Sequence, residues 1–101
     1  MPLFNHGSPE VTTDPARLIA ADVGRVRSYV LVRAAFENSA RIYVGNSASV
    51  NGTLGSPNCG WPLDPGEARE FEVNESVDAG SETDIWAVAA SGTQYAHVES
   101  K

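Results

Sequence analysis

Apolar side chains in this chain recur at every second position, in short bursts, each closed by a cluster of turn-forming residues. The clearest burst is residues 26–35. One set there is Val26, Ser28, Val30, Val32 and Ala34, nearly all apolar; the alternate set is Arg27, Tyr29, Leu31, Arg33 and Ala35, which is mixed. A period of two belongs to a strand with one face on a core, because successive side chains of a strand point to opposite sides. Strands are also expected over residues 11–13, 17–21, 41–45, 60–63, 69–73, 84–90 and 94–99. In residues 69–73, Phe71 and Val73 face inward and Glu70 and Glu72 outward. Residues 84–90 are apolar on both sides, which predicts a central strand with Trp86 in the core.

The punctuation agrees with this reading. Asp14-Pro15, residues 22–25 with Gly24, Glu37-Asn38-Ser39, Asp64-Pro65-Gly66-Glu67 and Ser91-Gly92-Thr93 are turn signals. Proline presets φ and glycine accepts positive φ at such places. No window offers a 3.6-residue apolar period with helix caps. Six to eight short strands with frequent turns predict an all-β fold, a small antiparallel β-sandwich of jelly-roll or immunoglobulin-like type. Residues 1–10 read as an extended N-terminal arm with Leu3 and Phe4 as its docking residues, and residues 11–101 as the single domain. Two polar loops, residues 46–58 and 74–83, are expected to face solvent or neighbouring copies.

A chain of 101 residues supports one modest core. Its single cysteine, Cys59, excludes an internal disulfide, so packing or a partner subunit must supply the stability. No apolar run approaches the length needed to span a bilayer, and residues 1–6 lack the pattern of an export signal. Charge is uneven. Residues 1–50 hold five arginines against four acids, whereas residues 51–101 hold nine acids against Arg69 and Lys101, for a net charge of −6 overall. That balance repels phosphate backbones and argues against a nucleic-acid partner.

Residues suited to catalysis or ligand binding are few. A nucleophilic triad needs a nucleophile, a base and an orienting acid. Cys59, His6 and His97 are the nearest candidates, and no Gly-x-Ser-x-Gly elbow is present. Two histidines far apart make a poor zinc site, and His97 reads as a surface or interface residue. Asp78, Glu82 and Asp84 lack the spacing of a calcium loop and read as a solvated acidic stretch. Gly52-x-x-Gly55 is followed by no Lys-Ser/Thr and no helix, so no nucleotide cofactor is expected. Trp61, beside Pro62, is either a plug at the end of the sandwich or an exposed contact, since aromatics anchor interfaces.

Several segments together resemble the small structural proteins of phage virions. These are the opening Val11-Thr12-Thr13-Asp14-Pro15-Ala16-Arg17-Leu18-Ile19 and the strand Val26-Arg27-Ser28-Tyr29-Val30-Leu31-Val32. The step Ile42-Tyr43-Val44-Gly45, the segment Gly60-Trp61-Pro62-Leu63-Asp64-Pro65-Gly66-Glu67 and the strand Ile85-Trp86-Ala87-Val88-Ala89-Ala90 continue the pattern as far as Val98. The longer loops at residues 46–59 and 74–83 depart from it. The resemblance implies a β-sandwich that sits on the virion, with no catalytic residue. The expected role is a capsid decoration protein that binds the major capsid protein and reinforces the shell; the alternative is a tail- or fibre-associated module contacting host glycan or protein. A homo-oligomer, a trimer by analogy with sandwiches at symmetric joints, is the expected assembly. Leu3, Phe4, Arg27, Arg33, Arg41 and Trp61 are the candidate interface residues, and the basic side would meet acidic capsid surface.

Overall fold

The computed structural model describes residues 4–5, 7–19, 29–45, 47–72 and 85–100. Leu3, His6, Arg27 and the acidic loop at residues 74–83 lie outside them. The described residues contain strands and turns and no helix. The strands are β1 (Phe4–Asn5), β2 (Glu10–Val11), β3 (Ala16–Ile19), β4 (Tyr29–Ala34), β5 (Ile42–Gly45), β6 (Trp61–Leu63), β7 (Ala68–Glu72), β8 (Ile85–Ala89) and β9 (Gln94–Ser100).

They form two antiparallel sheets. In the first, β1 and β2 both run along β9, which pairs with β4, which pairs with β7. The second has the order β3-β8-β5-β6. The pairings are nested: β5 with β6, β4 with β7, β3 with β8, and the N-terminal segment with β9. The chain is thus one long antiparallel hairpin, folded so that successive pairs fall in alternate sheets. This is the strand order of a jelly roll, which selects between the two sandwich types expected from the sequence.

Alternation decides what goes inside. Val30, Val32 and Ala34 of β4 are buried, as are Ala96 and Val98 of β9, and they meet Ile42, Val44, Leu63, Ile85, Ala87 and Ala89 of the other sheet. Each fully buried valine or isoleucine stabilises the fold by about 1.5–3 kcal/mol relative to leaving it in water. Phe71 packs against this cluster from the edge strand β7. Trp86 departs from expectation. It lies opposite Gly45 on the outer face of the second sheet, half-buried, with the Arg17 guanidinium 5.2 Å from its ring centroid. The alternation places it there, because Ala87 and Ile85 take the inward positions.

The N-terminal segment is extended, and its described residues belong to the sheet. Beyond the β1 and β2 pairings, the carbonyls of Gly7 and Pro9 accept from the amides of Val98 and Ala96. The segment then changes sheets: Val11 pairs with Gln94 of β9, the Thr12 carbonyl accepts from Ala89 N, and Ala16 pairs with Ala87 of β8. Val11 is fully buried between the layers.

Two buried amides close the end of the sandwich where β4 turns toward β5. Asn38 donates from Nδ2 to the Tyr95 carbonyl and accepts at Oδ1 from Tyr95 N, both at 2.8 Å, imitating a strand partner. Gln94 accepts from Ser39 N and donates to Ser39 Oγ and the Ser91 carbonyl. The Glu37-Asn38-Ser39 turn is therefore clamped onto the β8–β9 hairpin.

Candidate interaction surface

The turn at residues 64–67 joins the edge strands β6 and β7 and, among the described residues, gathers most of the exposed aromatic and arginine side chains. Its backbone closes with Glu67 N donating to the Asp64 carbonyl, and the Glu67 carboxylate accepts from Asp64 N at 2.7 Å. Gly66 has φ of +87°, a conformation that favours glycine. It also lies under the Phe36 ring, which would stand 2.7 Å from any Cβ placed there. Phe36 is 75% exposed above it.

Arginines from both sheets converge on this turn. Arg33 of β4 donates from Nη1 to the Gly66 carbonyl at 3.0 Å. Arg41, just before β5, donates from Nε to Asp64 Oδ1 at 2.7 Å. That hydrogen bond holds the Asp64 carboxyl below its ordinary value. It also raises Arg41, which the Tyr43 hydroxyl assists. Both charged groups are exposed, so the pair contributes little to stability. Its structural effect is to fix the turn against the second sheet.

Trp61 opens β6 and is 52% exposed. The Arg69 guanidinium of β7 stacks on its ring, 3.6 Å from the centroid, and lies 6.0 Å from the Phe71 centroid. An exposed stack of this kind stabilises by about 0.5–1 kcal/mol. It holds the indole in one orientation with one face covered. Pro62 follows in the same edge strand, where it removes an amide that a foreign strand would use.

Of the residues singled out from the sequence, Arg33, Arg41 and Trp61 come together around this turn. Phe4 does not join them: its backbone pairs with Ser100 at the opposite edge of the first sheet. Leu3 and Arg27 lie outside the described residues. Arg41 is engaged by Asp64, so it is not a free cation for a partner. Arg33 and Arg69 have no carboxylate within ion-pairing distance among the described residues. Sequence reasoning missed Arg69 and Phe36. The signal for Arg69 was present, since positions 61 and 69 flank the 64–67 turn almost symmetrically.

The loop at residues 47–60 is folded onto the outer face of the second sheet. Val50 is buried there, and its methyl group would lie 2.8 Å from a Cβ on either Gly45 or Gly60. Gly52 sits against the Tyr43 ring, 2.4 Å from where its Cβ would stand. Asn51 organises the interior, accepting from Thr53 N and donating to Ser56 Oγ. Leu54 projects from the tip, 92% exposed. Between this loop and the crossing segment lies a groove of about 510 Å³ lined by Thr13, Pro15, Tyr43, Val50, Asn51, Gly52 and Val88–Ala90, with no charged side chain.

Of the candidate reactive residues, His6 lies outside the described residues, and His97 and Cys59 sit over different sheets. His97 is on the outer face of the first sheet, with Nδ1 2.7 Å from Ser8 Oγ. Cys59 is in the loop over the opposite sheet, its thiol directed at the Gly60 carbonyl. Among the described residues no three His, Cys, Asp or Glu side chains are grouped to hold a metal ion. Comparison of the chain with protein-family models, with curated proteins and with solved structures finds no match.

Proposed function

We propose that this chain is a phage virion structural protein, a capsid decoration protein that binds the major capsid shell and reinforces it. The observation that carries the reading is the aromatic and cationic end of the sandwich. Phe36 and Trp61 are exposed yet held in place by Gly66 and Arg69. Tryptophan and arginine are the residue types that dominate binding energy at protein interfaces. A side chain already fixed in one orientation loses little entropy on docking. Arg33 and Arg69 supply positive charge for an acidic shell surface, while the protein as a whole carries −6. The resemblance of residues 11–98 to virion proteins supplies the setting. Modest contacts repeated over many copies reinforce a shell through multivalency, and a trimer suits its three-fold joints.

Mass spectrometry of separated heads and tails, counting copies of this chain in each, tests the placement. Dozens or more per head support decoration, and a handful confined to tails overturns it. Attachment is tested with Trp61→Ala and Arg69→Ser. Both variants are expected to bind depleted shells at least tenfold more weakly than the parent, and undiminished binding by both rejects this surface.

A second reading rests on the exposed Trp61 ring. Jelly rolls also serve as lectin domains, and a tail- or fibre-associated module could stack a host sugar on the uncovered part of the indole. A glycan array separates the two. Binding that disappears in Trp61→Ala favours the host-contact module.

A further inference from the structure

We infer that residues 4–5 and 7–11 belong to an exchangeable strand, and that the edge of β9 accepts this strand from a second copy of the chain as well as from its own. Among the described residues, the edge of β9 from Gln94 to Ser100 is covered only by the N-terminal segment. That cover is held chiefly by backbone hydrogen bonds. Among its described side chains only Val11 is buried; Gly7, Ser8 and Glu10 are exposed.

The cover is also interrupted. Pro9 has no amide to donate, and Gly7 takes φ of +82°, which breaks the regular extension between β1 and β2. A strand that lacks the donor of Pro9 and is broken in its middle is less firmly seated than a regular one. If it leaves, it exposes the amides of Ala96 and Val98, an open template for an incoming strand. The joint to the rest of the fold, residues 13–15, is exposed and holds Pro15.

An incoming copy brings the same residues in the same register, including Val11 for the same core position. The exchanged and closed forms therefore differ in no contact made by this strand. Their balance is set by concentration, and an attached segment competes at an effective concentration on the order of millimolar. Exchange in both directions gives a dimer; exchange in one direction gives a ring where the rotation closes and an open filament where it does not. The inference does not depend on which outside partner the protein binds.

The Ser8–His97 contact provides the test. Gly7 and Pro9 bond to Val98 and Ala96, so Ser8 and His97 form the non-hydrogen-bonded pair between them. Their Cα atoms should be about 4.5 Å apart, a separation that a disulfide spans. Two single-cysteine proteins are made in a Cys59→Ser background, one with Ser8→Cys and one with His97→Cys. They are unfolded together, refolded at about 1 mM to match the effective concentration, and oxidised. A parallel mixture pairs Ser8→Cys with Glu70→Cys, on the exposed face of β7 at the far edge of the sheet. All of these positions are at the surface, so each variant is expected to fold. Disulfide-linked heterodimer is expected to form severalfold more with His97→Cys than with Glu70→Cys. Equal yields in the two mixtures, or no adduct in either, overturn the inference.

Discussion

Replacing Asn38 with alanine tests the amide clamp that closes the end of the sandwich. The side chain is 9% exposed and makes two hydrogen bonds at 2.8 Å, one to each backbone polar group of Tyr95. Each net hydrogen bond contributes about 1 kcal/mol. The Tyr95 carbonyl keeps a second donor, Ala35 N at 3.1 Å, so its loss is partial. The Tyr95 amide has no other acceptor among the described residues. Leaving it unpaired in a part-buried position adds a penalty at the low end of about 1–3 kcal/mol. The sum is a destabilisation of about 2–3 kcal/mol, a large fraction of the ~5–15 kcal/mol typical of a domain. For a domain of this size it lowers the melting temperature by about 8–20 °C. Urea unfolding followed by tryptophan fluorescence reads the change as a shift in midpoint at constant slope. Asn38→Asp is the control. It keeps the acceptor for Tyr95 N but turns an oxygen toward the Tyr95 carbonyl, so at neutral pH it should be no more stable than the alanine variant. A loss below about 0.5 kcal/mol for Asn38→Ala, within the range of ordinary surface changes, would refute the clamp.

Other perturbations probe the loop and the turn. Gly60→Ala drives a methyl to within 2.9 Å of the Val44 backbone and 2.8 Å of Val50, and should destabilise by about 1–3 kcal/mol in thermal unfolding. Arg69→Ser should leave stability within about 1 kcal/mol of the parent while making Trp61 fluorescence more easily quenched by acrylamide. The Asp64 carboxyl should titrate below the ordinary aspartate value of about 3.9, and NMR titration of Arg41→Ser should show it moving back up. The sign of the linked stability follows. The pair's small contribution is present above the unfolded carboxyl value and is lost as pH falls through the depressed folded value. Asp64→Asn should flatten that part of the acid unfolding profile.

The sheets were legible because their information is local. Val30-Leu31-Val32-Arg33-Ala34 and Ile42-Tyr43-Val44 announce which side faces the core, and the structure buries those sides. Nested pairing was not legible, since it depends on which distant edges meet, and local alternation carries no such address. Trp86 shows the limit. Its neighbours suggested a strand covered on both faces, and the packing of Ile85 and Ala87 into the core decided which face the indole took. The loop expected at residues 46–58 reads as polar from composition, facing solvent or neighbouring copies, yet Val50 inside it is buried. Small residues at 45, 52 and 60 make room for that packing, and their effect depends on contacts from outside the loop. At the candidate surface, Trp61, Arg33 and Arg41 were readable as residue types. Whether a given arginine is free, stacked or neutralised was decided by the 64–67 turn that brings the two sheets' edges together.

The nesting of the strands also fixes which corners of the sandwich lie farthest apart. Phe4 and Ser100 sit side by side, next to Val30 at one end of β4, whereas Gly66 bonds to Ala34 at the other end. Phe4 is moreover on the edge opposite β7. Phe4 and Ser100 therefore occupy the corner diagonally across from Phe36 and Gly66. A label placed at either position reports on attachment while the aromatic corner stays open for docking.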